Sequence, residues 1–169
     1  MTESNLTITK YKINHPLPLP SFRMMIGIDP GVTNLGIATC NHYINDADDP
    51  IMLYQIKTTR EKDPVDRILK LNHIISACIV STGWKMFAVV EGASYNKSYR
   101  QVELESMRTT MIHWCLNRSI EVKVLAPTTI RKVVFGNGRI SEKDVWKEIP
   151  SDVASALACM YAGIILEEK

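Results

Sequence analysis

The stretch that decides the fold is residues 24–40, MMIGIDPGVTNLGIATC. An apolar run at residues 24–28 ends in a single carboxylate, Asp29, and a second apolar run follows a Pro-Gly turn. Two short apolar runs separated by turn residues predict two antiparallel strands joined by a tight connection. The feature that requires an explanation is the carboxylate at the end of so hydrophobic a strand.

Length, charge and cysteine spacing exclude several classes of protein. The chain has 169 residues, which suits one domain with a sizeable core. Its net charge of +2 leaves any binding preference to local clusters of charge. No apolar stretch approaches the roughly 20 residues of a membrane helix, and the N-terminus has no signal-peptide pattern. The four cysteines lack metal-ligand spacing, so we expect buried thiols in a reducing, cytoplasmic compartment.

The pattern along the rest of the chain predicts an α/β layered fold. Residues 1–22 contain HPLPLP and predict an extended arm ahead of a single domain at residues 23–169. The first three strands of that domain are close in sequence, which predicts an antiparallel meander, and a helical crossover between the fourth and fifth strands predicts parallel pairing. Strands are predicted at 24–29, 34–40, 51–57, 85–91 and 121–126, and helices at 63–79, 101–117, 128–135, 141–149 and 152–168, the last capped by Ser151.

Three acids are expected at one edge of this sheet. Asp29 ends the first strand of the domain and Glu91 ends the fourth, while Asp152 lies in the first turn of the last helix. Three convergent carboxylates repel one another unless a cation lies between them. Mg²⁺ prefers carboxylate oxygens together with substrate phosphates, and a pair of such ions activates water for phosphodiester hydrolysis. The sequence therefore predicts a catalytic metal site formed by these three acids.

Each acid also has an ordinary structural explanation. An aspartate before Pro-Gly is a common turn former, and an acid in a first helical turn suits the helix dipole. The three acids together are much harder to explain as turns and caps.

Three segments, IGIDPGVTNLGIA, FAVVEGASYNKS and SDVASALACMYAG, resemble in this order the motifs of the RuvC Holliday-junction resolvases. The resemblance extends over about residues 25–163 and includes RKVVFGNGRISEKDV. It implies a ribonuclease H-like fold, with a five-stranded mixed sheet flanked by helices. It also implies a homodimeric crossover junction endodeoxyribonuclease that uses Mg²⁺ or Mn²⁺ and leaves 5′-phosphate and 3′-hydroxyl ends on branched DNA.

One site residue departs from the resolvase pattern. The family's first two acids fall on the strand ends already identified, and the acidic pair of its last helix falls on Asp152 and Ser155. A serine hydroxyl is a poor Mg²⁺ ligand beside a carboxylate. Either three acids suffice, or Glu148, Asp144 or a water molecule replaces the missing ligand.

Two basic segments are candidates for DNA contact. The segment ASYNKSYR places aromatic rings beside cations, which suits phosphate contact and stacking on unpaired bases. Within it the resemblance selects Tyr95 as the base-stacking residue, with Tyr99 second, and matches Arg131 and Lys143 of the second segment to junction-contacting positions. A solvated polar surface is the ordinary explanation of both. The candidates are Tyr95, Lys97, Tyr99 and Arg100 in the first segment, and Arg131, Lys132, Arg139 and Lys143 in the second.

Other functions remain open at the level of sequence. They are a ribonuclease H-like nuclease that processes RNA, a branched-DNA binding protein with weakened catalysis, and an ATP-binding member of the actin and sugar-kinase superfamily. The last ranks lowest, because 169 residues are too few for its two domains. In a resolvase, the helix at 101–117 is expected to form part of the dimer interface, with His113 packed or interfacial.

Overall fold

The computed structural model describes residues 7–13, 24–31, 33–40, 51–57, 86–93 and 101–167. Within them, six strands form one mixed sheet in the order β1-β4-β3-β2-β5-β6. The helix predicted at 63–79 lies outside the described residues. The strands are β1 (Thr7–Ile13), β2 (Met24–Asp29), β3 (Asn34–Cys40), β4 (Ile51–Lys57), β5 (Met86–Glu91) and β6 (Glu121–Leu125), and the helices are α1 (Gln101–Leu116), α2 (Pro127–Phe135), α3 (Glu142–Val145) and α4 (Ser151–Glu167).

The pairing of the strands confirms the predicted ribonuclease H-like sheet. β2, β3 and β4 form an antiparallel meander, and β2, β5 and β6 are parallel neighbours. The five predicted strands are all present, and β1 adds a sixth by pairing antiparallel with β4. β1 lies within the predicted extended arm, where its sequence TITKYKI is rich in residues that favour strands. The domain boundary at residue 22 stays a prediction.

The sheet has a hydrophobic core on each face, as its alternating side chains require. Met24, Ile26 and Ile28 of β2 pack with buried residues of α1 on one face. Met25 belongs to the second core, which includes most of α4. The helix α4 is buried almost all round, as its apolar sequence predicts, because α2 and α3 also pack against it.

The start of α4 and the state of the thiols refine the predictions. The first helical hydrogen bond runs from the Ala154 N–H to the Pro150 carbonyl, so Pro150, rather than Ser151, is the N-cap residue. Cys40, Cys115 and Cys159 are buried free thiols, as expected, and the fourth cysteine lies outside the described residues. In the part of the chain that the structure describes, no helix has the length and apolarity to cross a membrane.

Two glycines bring α4 against the sheet. A Cβ added at Gly27 of β2 would overlap the backbone carbonyl of Ala156, and one added at Gly36 of β3 would overlap the carbonyl of Asp152. Only glycine permits a backbone-to-backbone approach of this kind. The first turn of α4, which carries Asp152, is therefore held directly against the end of the sheet where β2 finishes.

Candidate active site

Asp29 and Glu91 lie side by side at the ends of neighbouring parallel strands. The register of β2 and β5 pairs Ile28 with Val90, so both strands end at the same edge. The two carboxyl groups lie within hydrogen-bonding reach of each other. Burial raises the pKa of both, and the negative charge of Glu91 raises the pKa of Asp29 further. Without a cation, this pair therefore retains a proton at a pH where an exposed pair would have lost it.

Asp152 stands beside this pair and is held by a residue of β4. The Nε2 atom of Gln55 donates to Oδ1 of Asp152 at 2.9 Å and to Oδ2 at 3.0 Å. Asp152 is close enough for its charge to contribute to the raised pKa of Asp29. Gln55 was not identified from the sequence, because it is 97 residues from its partner and belongs to no motif. The available signal was a polar residue in the apolar strand IMLYQIK.

The donor atoms at this edge fit a hard divalent cation. They are carboxylate oxygens, including those of the half-buried pair Asp29 and Glu91, whose pKa values are raised by burial first and by neighbouring negative charge second. Among the described residues, no group of three or more Asp, Glu, His or Cys side chains is arranged so that it could hold a metal ion. The structure thus brings Asp29 and Glu91 together, whereas both oxygens of Asp152 accept from Gln55.

Ser155, three residues after Asp152 on α4, lines an open groove together with Asp29 and Glu91. The alternative acids, Asp144 and Glu148, are both exposed and do not line that groove.

Glu142 is the additional acid whose charge reaches the site, and sequence reasoning missed it. Its side chain is buried, and its charge raises the pKa of both Asp29 and Glu91. The Nε atom of Arg131 donates to Oε1 of Glu142 at 2.7 Å. Glu142 is therefore paired with Arg131, and this ion pair holds Arg131 in the lining of the groove.

Arg108 is a second residue that sequence reasoning missed. Its Nε atom donates to the backbone carbonyl of Glu91 at 2.8 Å, and its guanidinium pairs with Glu105 at 2.6 Å. Its charge lowers the pKa of Glu91 and so opposes the effect of burial. The available signal was a cation next to the buried residue Met107 of α1. Arg108 of α1 therefore holds the end of β5 in place through the carbonyl of Glu91.

These side chains surround an open groove of about 830 Å³. Asp29 and Glu91 lie in it together with Arg108 and Arg131, while Thr128 lines it from the first turn of α2. A groove that combines paired carboxylates with guanidinium groups suits a phosphodiester. Metal ions held by the carboxylates would neutralise some of its oxygens, and the arginine side chains would neutralise others.

The remaining predicted contacts fall outside this groove or outside the described residues. Lys132, Arg139 and Lys143 are exposed on α2, α3 and the turn between them. His113 is exposed on α1, so it is not packed within the protomer, and its interfacial role stays a prediction. The first DNA-binding segment lies outside the described residues, with Tyr95, Lys97, Tyr99 and Arg100.

The mixed sheet, with acids at the shared end of the parallel strands β2 and β5, has the ribonuclease H-like fold. The family model described as "Crossover junction endodeoxyribonuclease RuvC" matches residues 25–159. The chain therefore belongs to the RuvC family, a family of metal-dependent nucleases, and the resemblance seen in its motifs is confirmed.

Individual relatives agree with this assignment. The crossover junction endodeoxyribonuclease RuvC of Corynebacterium efficiens is 21% identical over 167 residues, which cover 86% of this chain and 72% of the relative. The Thermus thermophilus RuvC structure superposes with a TM-score of 0.68 at 16% identity, covering 86% of this chain and 95% of that one. Thermus thermophilus RuvC in complex with Holliday junction substrate gives the same TM-score, 0.68, at 13% identity and the same coverage.

Proposed function

We propose that the protein is a metal-dependent endonuclease that resolves four-way or other branched DNA junctions by hydrolysing phosphodiester bonds. The observation that supports this most directly is the close, half-buried pair of Asp29 and Glu91 in a groove that is also lined by arginine. Membership of the RuvC family and the likeness to a relative solved with Holliday junction substrate support the choice of DNA substrate.

The proposed metal is Mg²⁺ or Mn²⁺, held by Asp29 and Glu91 with Asp152 completing the set and Ser155 beside it. When bound, it supplies an activated water and stabilises the leaving oxygen of the scissile phosphate. The chain's own residues prepare for it. Burial of the acid pair concentrates negative charge at one point, and Arg108 fixes the backbone of Glu91.

Binding of DNA is proposed to rest on cations around the groove. Arg131 lines the groove itself, whereas Lys132, Arg139 and Lys143 are exposed beyond it. Contacts of this kind hold phosphates without reading sequence. The first DNA-binding segment, which carries Tyr95, Lys97, Tyr99 and Arg100, is proposed to add base stacking through Tyr95 or Tyr99 at the branch point.

We also propose a homodimer, because two symmetric cuts across a four-way junction need two sites related by a twofold axis. One exposed face of α1 is here named the outer stripe. Its residues follow one another at spacings of four, three, four and three positions, which keeps them on one side of the helix. Its apolar ends are 78% exposed at Val102 and 57% exposed at Leu116. The outer stripe consists of Val102, Ser106, Thr109, His113 and Leu116.

A junction-binding protein with weakened catalysis is the second candidate, and Ser155 favours it because it removes one expected acid. We place either activity in the cytoplasm, where the buried free thiols of the described core stay reduced.

Labelled four-way junction, linear duplex and structured RNA, each incubated with and without Mg²⁺, test the proposed function. Metal-dependent cleavage of the junction alone supports a resolvase. Binding to the junction without cleavage supports the weakened form, and preferential cleavage of RNA contradicts both.

A further inference from the structure

We propose that Gln55 is a positioning residue that orients Asp152 toward the metal site. The inference rests on the proposed function, because it assigns Asp152 to the ligands of the cation. Gln55 itself touches neither the groove nor the proposed cation. It acts only through the carboxylate to which it donates.

The geometry at Gln55 is unusual for a buried glutamine. Its side chain is 4% exposed on the face of β4 that packs against α4, and its amide nitrogen lies within 3.0 Å of both oxygens of Asp152. A buried amide without partners is costly, whereas an amide that donates to a carboxylate is well satisfied. This contact therefore holds the carboxylate of Asp152 in position.

The sheet register explains how Gln55 reaches a helix 97 residues further along the chain. Gln55 is the cross-strand partner of Gly36, so their Cα atoms lie opposite each other on the same face. Gly36 leaves the space that the backbone of Asp152 occupies. Two cross-strand neighbours thus hold the first turn of α4. Gly36 contacts its backbone, and Gln55 binds the side chain of Asp152.

The substitution at position 155 makes this arrangement more important. With serine in the groove, Asp152 is the carboxylate of α4 whose charge acts on Asp29, although Asp152 is held by Gln55 and does not itself line the groove. Carboxylate ligands are commonly oriented by hydrogen bonds from residues that do not touch the metal, and loss of such a bond lowers metal affinity by about 10–100-fold. In this chain Gln55 supplies that bond.

Calorimetric titration of Mn²⁺ into the DNA-free protein tests the proposal without relying on activity. Gln55→Met keeps the length of the side chain but removes the donor, and Gln55→Asn keeps the amide but withdraws it from Asp152. Both variants are expected to bind Mn²⁺ about 10-fold more weakly than the native protein. Cleavage should then require correspondingly more metal, while the rate at saturating metal changes much less.

Thr39→Val is the matched control, because Thr39 is also a buried polar residue of the same sheet but shares the face of Leu35 and Ile37, away from α4. It should leave Mn²⁺ affinity unchanged whatever its effect on thermal stability. In an Asp152→Asn background, Gln55→Met should cause no further loss of affinity, since the partner is already altered.

The outcomes separate the proposal from the function on which it rests. If Gln55→Met and Gln55→Asn lower only the melting temperature and bind Mn²⁺ as the native protein does, the positioning role is wrong while the metal site stands. If the Gln55 and Asp152 effects add fully, the proposal is also overturned. If the native protein and Asp29→Asn bind Mn²⁺ equally, the metal site itself is wrong and the positioning role falls with it.

Discussion

At the scale of the residue, the pair of Asp29 and Glu91 combines burial with like charge, two conditions that oppose each other when no cation is present. Both pKa values are raised, and for both acids burial is the largest cause. Folding thus places a destabilising charge where the proposed metal binds. This charge lowers the free energy of unfolding of the metal-free protein, and binding of a metal ion to the native state would raise it again.

Asp29→Asn should stabilise the metal-free protein at neutral pH. A raised folded-state pKa means that the native state binds protons more tightly than the unfolded state. The free energy of unfolding therefore falls as pH rises from the ordinary carboxyl range through the raised pKa of the pair. Asparagine removes most of this dependence. Urea denaturation in the presence of a chelator, repeated across the acidic to neutral range, measures it.

Asp144→Asn is the control for that measurement, because Asp144 is exposed and does not line the groove. It should leave the pH profile of stability as it is. A native protein whose metal-free stability rises with pH over the same interval would contradict the raised pKa values.

Ser155→Asp tests whether the site lacks a ligand. If it does, the new carboxylate should lower the Mg²⁺ concentration needed for half-maximal cleavage and leave the maximal rate intact or higher. If the buried acid Glu142 already provides the negative charge that the missing acid would supply, a further carboxylate should weaken Mg²⁺ binding or leave it unchanged. Cleavage rate titrated against Mg²⁺ for both proteins distinguishes the two, and Ser155→Ala controls for loss of the hydroxyl.

At the scale of the element, the placement of α4 decides the site. Gly27 and Gly36 let its backbone touch the sheet, so Asp152 and Ser155 arrive at the end of β2. α1 contributes from the other layer, where Arg108 holds the carbonyl of Glu91. The site is therefore assembled by two helices on opposite faces of the sheet.

Gly36→Ala should lower the free energy of unfolding by at least about 1–3 kcal/mol, the usual cost of overpacking, because the added methyl group meets the backbone of Asp152. It should also weaken Mn²⁺ binding by displacing the first turn of α4. Thermal unfolding and calorimetry measure the two effects.

Gly136→Ala is a useful contrast, since Gly136 has a φ of 72° but open space around it. Backbone strain alone should lower stability there and leave metal affinity unchanged. Equal Mn²⁺ affinity in Gly36→Ala and the native protein would show that the close approach does not position the site.

The outer stripe of α1 provides a test of assembly. Val102→Glu combined with Leu116→Glu places like charges at both exposed apolar ends, which should dissociate a dimer formed through this face. Sedimentation or light scattering should then give the mass of one chain, and far-UV circular dichroism should be unchanged. Val145→Glu, at an exposed valine of α3, is the matched control. An unchanged dimer in the double variant would place the interface elsewhere.

At the scale of the whole molecule, the sequence was sufficient for the sheet and for the two acids at its edge. Residues 24–29 and 86–91 end in acids after apolar runs, so local pattern and parallel pairing together bring Asp29 to Glu91. β1 was missed as a strand because the neighbouring proline-rich segment predicts an extended arm, and edge pairing depends on a partner far along the chain.

The residues that contact or orient the acids could not be identified from the sequence, for the same physical reason. Gln55, Arg108 and Glu142 each act through a contact made by tertiary packing, and none stands at a strand end or in a recognisable spacing. Functional residues on a motif are visible in one sequence, whereas those that orient them become visible only once the layers are packed.

Cleavage of a labelled four-way junction by the native protein, Asp29→Asn and Glu91→Gln tests whether these acids carry a metal-dependent nuclease activity. The native protein should cut the junction only when Mg²⁺ or Mn²⁺ is present, at symmetry-related positions, and leave linear duplex intact. Both variants should lose cleavage yet bind the junction as tightly as before, because affinity is proposed to come from cations that contact phosphates. Normal cleavage by either variant, or metal-independent cleavage by the native protein, would contradict the account.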